Sequence, residues 1–423
     1  DAGGRALIRF IHAADIHLDS PLLGLGVLDA ETAARLRGAT RLAFVRLVDE
    51  ALAREVDFIV IAGDLYDGAW RDVGTGLFFN QQVARLTTRG IRVVILHGNH
   101  DAESELRKLP GHPLVHTFDA RRPGTLRLAE LGVALHGQSF AQPAVTANLV
   151  DDYPEPERGV FNIGVLHTAL EGHADHARYA PCTLAQLRAR GYDYWALGHV
   201  HEHVVLSEDP WVVFPGNLQG RKINEPGPRG AMLVTVEDGR CRLERLLVDV
   251  LRWQVLEIDL GDVVSFGAVQ AKLRAALAAF SAEADPGLSF ALRVRLHGAT
   301  PAHGLLWGSE RLLREDLLLV AAEFGAGRLL LEKLRVETTP LAAAPASADE
   351  ADAMADLRVY FERAADDPEF AALLREDLER FLGACPPEVR EQVDLVRAVQ
   401  GEHLGAVIRG LTPSLIARLG GER

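Results

Sequence analysis

Asp15-Ile16-His17, Gly63-Asp64, Gly98-Asn99-His100-Asp101, the isolated His167 and Gly198-His199-Val200-His201 place acidic, amide and imidazole groups at five points in the first half of a 423-residue chain. Each stands just past a short apolar run that reads as a strand. In sheets covered by helices, ligand-binding groups gather at the carboxyl ends of strands, where loops converge on one crevice. Loops that all offer O or N donors therefore point to a single polynuclear metal site. Carboxylate, amide and imidazole without thiolate suit manganese, iron or zinc better than a closed structural zinc site. Two such ions ~3.5–4 Å apart can clamp the attacking and leaving oxygens of an in-line phosphoryl displacement and acidify a bound water. Gly63, Gly98 and Gly198 allow sharp turns where a Cβ would crowd the ions.

The elements that must hold these groups alternate. Leu7–Ile11, Phe58–Ala62 and Ile91–Leu96 read as buried strands, with helices over roughly Glu31–Ala53 and Thr75–Thr88 between them. This predicts crossover units on a helix-covered sheet. From Leu126 onward strands crowd together: Val133–His136, Asn162–Leu166, Tyr194–Leu197, Val204–Leu206, Trp211–Phe214, Ala231–Glu237 and Arg242–Leu247. Short links such as Glu237-Asp238-Gly239 predict antiparallel hairpins. An α/β fold follows for residues 1–252, a two-sheet α/β/β/α sandwich. Residues 253–338 read as a small α+β module, with strands at Gln254–Leu260, Ser289–His297 and Leu329–Glu337 and helices at Ser265–Ala282 and Ser309–Glu323. An Ala/Pro-rich linker (339–348) leads to a helical region (349–423) with breaks at Asp367-Pro368 and Pro386-Pro387.

A composition of 48% hydrophobic and 25% charged residues is that of a folded globular chain. No apolar run approaches the ~18 residues of a membrane span, and no leader pattern precedes the first strand, so neither membrane nor export is expected. Cys182, Cys241 and Cys385 are odd in number and form no CxxC pair, which argues against a disulfide framework and fits a reducing cytoplasm. The net charge of −14 counts against a protein whose whole surface attracts nucleic acid. It leaves room for a local basic groove or for bound cations that reverse the field.

In this order, DxH, GD, GNHD, a lone His and GHxH resemble the motifs of the calcineurin-like metallophosphoesterases. The stretch Phe10 to Pro21, the run Gly63-Asp64-Leu65-Tyr66-Asp67 and the run Pro215-Gly216-Asn217-Leu218-Gln219-Gly220-Arg221 are similar to the bacterial DNA repair exonuclease branch, SbcD-like and especially YhaO-like. The motifs span roughly half the chain, and the resemblance implies that the α+β module at 253–338 is a capping, DNA-binding domain. The resemblance implies two divalent ions, manganese first, with iron, zinc or magnesium as alternatives. Asp15, His17 and His201 would hold one ion, Asn99, His167 and His199 the other, and Asp64 would bridge them. His100 would stabilise the developing charge or protonate the departing sugar oxygen, steered by the Asp101 carboxylate.

The implied activity is metal-dependent hydrolysis of DNA phosphodiesters by activated hydroxide. It would be a 3′–5′ exonuclease, with endonuclease activity as an addition, working in DNA repair or end processing. The implied partners are DNA, an SMC-like coiled-coil ATPase on the terminal helices, and a second copy through the helix carrying Phe78-Phe79-Asn80-Gln81-Gln82, in the cytoplasm at the nucleoid. Arg221 and Lys222 are expected to meet substrate phosphate, with Lys222 standing where relatives are expected to carry His. Two other readings fit the same motifs: a phosphoesterase for a small phosphodiester or phosphoprotein, and a silent scaffold for a coiled-coil ATPase.

Other residues have plainer expectations. His12 reads as a packed core group and His97 as a neighbour of the ligands. Asp19 and Asp67 read as capping or turn residues at least as readily as supports for a metal ligand. Glu171, His173, Asp175 and His176 read as a solvated loop near the cleft. Leu357–Phe361, Phe370–Leu382 and Val389–Val399 carry apolar residues at helical spacing, for self-packing or for a partner.

Overall fold

Short uninterrupted runs rich in β-branched residues, such as Phe58-Ile59-Val60-Ile61-Ala62, read as strands buried on both faces, and the fold buries this one so. The structure is a computed structural model that describes residues 7–25, 30–67, 73–103, 111–170, 179–306, 309–325, 327–341 and 348–383, with a few positions between 404 and 415. Its elements begin with β1 (Ile8–Ala13), α1 (Ala30–Arg37), α2 (Ala39–Ala53), β2 (Phe58–Ala62), α3 (Val73–Thr87), β3 (Arg92–Leu96), β4 (Val115–Thr117) and β5 (Gly124–Leu128). Next come β6 (Val133–Gly137), β7 (Phe161–His167), α4 (Leu184–Ala189), β8 (Tyr194–Gly198), β9 (Val204–Glu208), β10 (Trp211–Phe214), β11 (Gly230–Glu237) and β12 (Arg240–Leu247). The chain continues through β13 (Leu251–Asp259), α5 (Phe266–Glu283), β14 (Ser289–Thr300), α6 (His303–Leu306), α7 (Glu310–Glu323), β15 (Leu329–Pro340), α8 (Ala348–Asp366) and α9 (Pro368–Gly383).

Two six-stranded sheets form the first part, in the orders β12-β11-β1-β2-β3-β4 and β5-β6-β7-β8-β10-β9. In β1, β2 and β3 alternate residues face opposite layers. Phe10, Phe58, Val60 and Val94 meet Ile163, Val165, Tyr194 and Ala196 of the second sheet, while Ile11, Ile59, Ile61, Val93 and Ile95 meet Phe44, Leu47 and Phe79 of α2 and α3. Trp195, Leu197 and Phe214 on the far side of the second sheet pack with Leu187 of α4 and with Val150 and Tyr153. The architecture is thus the expected α/β/β/α sandwich. Strands β1, β2 and β3 run parallel, as do β6, β7 and β8, so their carboxyl ends share one edge of each sheet. Asp238 and Gly239 both take positive φ (51° and 76°) in a two-residue link between β11 and β12, the geometry that matches strand twist.

Some local expectations need correction. The single helix read over Glu31–Ala53 is two, α1 and α2, separated at Gly38, which takes a non-helical φ/ψ of −92° and 7°. Glycine is a poor helix interior residue, and Ala39 and Thr40 begin a separately buried segment. Strands β4 and β5 and the short α4 were not anticipated; α4 is specified by a Thr183–Gln186 capping box rather than by periodicity.

The chain divides into two compact units, Asp1–Gln254 with Ala284–Leu292 and Ala326–Glu332, and Val255–Glu283 with Arg293–Gly325 and Lys333–Arg423. Strands β13, β14 and β15 make a three-stranded sheet, and α5 packs on α7. The strand β15 runs to Pro340, and α8 begins at Ala348; linker residues 342–347 lie outside the described residues, as do Pro386-Pro387 and the helix expected at Val389–Val399. Among the described residues, no helix is long and apolar enough to cross a membrane.

Candidate metal centre

The site is built where the parallel strands end. Beyond β1 the chain leaves the sheet through Asp15 and His17, whose N–H groups donate to Gly63 O and Asp64 O at 3.0 Å, so the first two motif loops are zipped together by main chain. From β3 the chain passes through Asn99 and His100, and the His100 N–H donates to Asp64 Oδ1 (3.0 Å). His167 ends β7, and His199 follows β8; the His199 N–H donates to both Asp15 oxygens (3.1 and 3.0 Å). Asp15, His17, Asp64 and His199 all take positive φ (50°, 46°, 52° and 103°). Left-handed backbone at a non-glycine residue costs on the order of 1–3 kcal/mol and persists where surrounding structure imposes it, as it does at functional sites.

The expected ligands fall into two clusters. Ligand atoms of Asp15, His17 and His201 lie within 4.8 Å of one another, and so do those of Asp64, His167 and His199. In the first, His17 Nε2 and His201 Nε2 face each other at 3.3 Å, and His201 Nε2 is 3.9 Å from Asp15 Oδ1. In the second, His167 Nε2 is 3.4 Å from Asp64 Oδ2 and 2.9 Å from Asn99 Oδ1. The same Asp64 Oδ2 lies 4.0 Å from His17 Nε2, so one carboxylate oxygen faces both clusters. The residues expected to be ligands are therefore brought together, in two groups that share Asp64.

The donor set fits divalent cations. Two imidazole nitrogens pointing at one place beside a buried carboxylate leave a space where positive charge is favoured. Burial pushes the Asp15 carboxyl up. Burial, helped by Arg221, brings His17 down to about 4 and keeps it the neutral imidazole a metal needs. Burial also works against protonated His167, but Asp64 and Asp15 outweigh it and carry the ring up to about 9. At Gly63 and Gly98 a Cβ would run into the His167 ring and the Asp64 carboxylate, and Gly63 has φ 98°, so both glycines keep the donors' space open.

Around these donors the structure departs from expectation at one residue and adds another. Asp101 does not steer His100. Its buried carboxylate accepts the N–H groups of Leu65, Tyr66 and Gly98 (3.2, 2.8 and 2.9 Å), because the short 3₁₀ turn it begins points it back under the motif loops. The partner of His100 is Asp67, whose Oδ1 lies 3.2 Å from His100 Nδ1 and 3.5 Å from His17 Nδ1. That hydrogen bond raises the His100 proton affinity, and the two imidazoles hold Asp67 well below the usual carboxylate range. Asp67 thus does far more than shape a turn, whereas Asp19 does fill a structural role, pairing with Arg41 and accepting from Thr75.

The added residue is Glu225, whose Oε1 lies 2.9 Å from His201 Nδ1. Its only sequence signal is an acid four residues after Arg221 in a Gly/Pro-rich loop without periodicity. Burial raises this carboxyl, but His201 and Arg221 outweigh it and bring it down to about 2.

Arg221 is mostly enclosed. Its Nη1 donates to Ser20 Oγ (2.9 Å) and is 3.5 Å from Asp67 Oδ2, and its Nη2 is 3.9 Å from Glu225 Oε1. It links the carboxylates behind the first cluster, while Lys222 is exposed. His12 is buried between Tyr194 Oη and Leu197 O at 3.0 Å each. His97 Nδ1 sits 3.7 Å from Asp101 Oδ2. The loop with Glu171, His173, Asp175 and His176 lies outside the described residues.

Comparison with known proteins identifies the family. Residues 8–203 match the calcineurin-like phosphoesterase family, and residues 253–339 match the middle domain of metallophosphoesterase YhaO. The chain is 34% identical over 299 residues to the uncharacterized metallophosphoesterase YhaO of Bacillus subtilis (strain 168), covering 70% of this chain and 72% of that protein. It is 29% identical over 214 residues to the DNA double-strand break repair protein Mre11 of Methanopyrus kandleri, covering 46% of this chain and 44% of that one. A crystal structure of a dimetal phosphatase from Danio rerio shows a weak likeness, with TM-score 0.36 and 13% identity over 58% of this chain and 97% of that chain.

Proposed function

The chain belongs to the calcineurin-like metallophosphoesterase family, and from that premise we propose that it is a metal-dependent DNA nuclease that hydrolyses phosphodiesters, as a 3′–5′ exonuclease with added endonuclease activity. The observation that carries this reading is the shared placement of Asp64 between two donor clusters with the His100–Asp67 pair beside them. Asp15, His17 and His201 would hold one divalent ion and Asn99, His167 and His199 the other, with Asp64 between them. Bound there, the ions would supply Lewis acidity toward the phosphate and lower the pKa of a water.

The remaining work falls to side chains. Asp67 accepts at His100 Nδ1, so the proton that His100 can pass to a departing sugar oxygen sits at Nε2. Imidazolium at that position also stabilises charge building on the phosphate. The choice of DNA over a smaller phosphodiester draws on the similarity to Mre11. An SMC-like ATPase is the proposed partner, with exposed Val359, Tyr360 and Leu373 of α8 and α9 as the apolar surface for its coiled coil.

The test is a manganese-dependent assay on end-labelled single- and double-stranded DNA, with bis-p-nitrophenyl phosphate in parallel. Digestion from 3′ ends that disappears on chelation is the expected result. Turnover of the small ester with intact DNA would replace the nuclease reading by that of a small-molecule phosphodiesterase.

A further inference from the structure

We propose that Glu225 is a positioning residue for one metal of the pair: it sets the affinity of the Asp15–His17–His201 cluster without setting that of the Asp64–His167–His199 cluster. This deepens the metal-pair reading above and rests on it. An ionised carboxylate only accepts, so the 2.9 Å contact with Glu225 Oε1 fixes the His201 proton on Nδ1 and leaves the lone pair on Nε2. That is the nitrogen facing His17 Nε2 and Asp15. His201 needs such a partner. Its side chain is 20% exposed, against 1% for His17 and 0% for Asp15, so it is the least enclosed donor of its cluster.

The loop after β10 is built to hold Glu225 in place. The carboxylate is buried, and its second oxygen accepts the Arg221 N–H (2.8 Å) and Asn217 Nδ2 (3.0 Å). The same loop grips the His201 main chain, since Asn217 N and the Arg229 guanidinium both donate to His201 O. Gly216, with φ 81°, and Gly220 pass where a Cβ would meet His201 O and Glu225 O. Trp253 Nε1 donates to Gly220 O (2.9 Å), and Gln219 Nε2 donates to Leu251 O (2.6 Å), which anchors the loop to the start of β13.

Among the described contacts of Glu225, the imidazole it meets is that of His201 in the first cluster, and His167 of the other cluster is held differently. The corresponding proton on His167 Nδ1 goes to a main-chain oxygen, Ala62 O at 3.0 Å. Substitution of Glu225 should therefore act on one ion only. Carboxylates that orient a metal-bound imidazole are worth ~10–100-fold in metal affinity.

The experiment is calorimetric titration of the full chain with manganese, combined with electron paramagnetic resonance, on wild type, Glu225→Ala, His201→Ala and the double variant. Wild type should take two ions and show the spectrum of a coupled manganese pair. Glu225→Ala should keep one ion at wild-type affinity, bind the second ~10–100-fold more weakly, and show a mononuclear spectrum at equal loading. Adding Glu225→Ala to His201→Ala should cost almost nothing further, because the effect runs through that imidazole. Two ions at wild-type affinity in Glu225→Ala, equal weakening of both ions, or additive losses in the double variant would overturn the inference alone. A wild type that takes fewer than two ions would overturn the metal-pair reading with it. DNA cleavage does not enter the measurement, so failure of the nuclease reading remains separate.

Discussion

His17 and His201 are backed by side chains: Asp67 stands behind His17, Glu225 behind His201, and Arg221 lies between the two acids. Asp64 and His167 are backed by main chain, through His100 N and Ala62 O, at a place where glycines 63 and 98 bring strands and loops into close approach. Asp64 and His167 are thus tied to the fold of the sheets, and His17 and His201 to a small network of charges. Main-chain partners cannot be removed by substitution, whereas charged ones can, so metal affinity and proton transfer should be adjustable from the Asp15 side and stubborn on the Asp64 side.

The largest expected effect lies where the clusters join. Asp64→Ala should abolish hydrolysis and lose both ions, as measured by metal analysis of the purified chain; two retained ions would show that the halves are independent rather than bridged. His100→Ala should leave both ions in place while cutting hydrolysis by ~10²–10⁴-fold, the range for losing a general acid. An unchanged rate would remove His100 from the reaction. Asp67→Asn should cost less, ~10–100-fold in rate, with the ion at the Asp15 cluster bound more weakly, since His100 and His17 both remain but lose their carboxylate partner. A loss equal to that of His100→Ala would mean that Asp67 and His100 act as one unit. Lys222→Ala should be the mildest, weakening DNA binding slightly and reducing the salt slope of log K by ~1 if it meets one phosphate.

The sheet core was readable because strands buried on both faces must be continuously apolar, as Phe58–Ala62 is, and because ligand loops follow the ends of such strands. The separation of α1 from α2 was harder to read, since one glycine is tolerated in many helices, whereas Gly38 leaves the helical conformation here and α2 starts anew after it. Asp67 and Asp101 show the limit within the site. Both are acids close in sequence to a motif, yet one turns toward His17 and His100 and the other toward the N–H groups of Leu65, Tyr66 and Gly98.

Residue types and their order along the chain were enough to name the metal-binding chemistry and the sandwich that carries it, because both depend on local pattern: apolar period, strand ends, donor identity. Which acid serves which imidazole depends on side-chain direction across loops far apart in the chain, Glu225 to His201 and Asp67 to His17 among them. Those directions follow from backbone conformations, several at positive φ, that arise only when the two sheets pack and the loops close on one another.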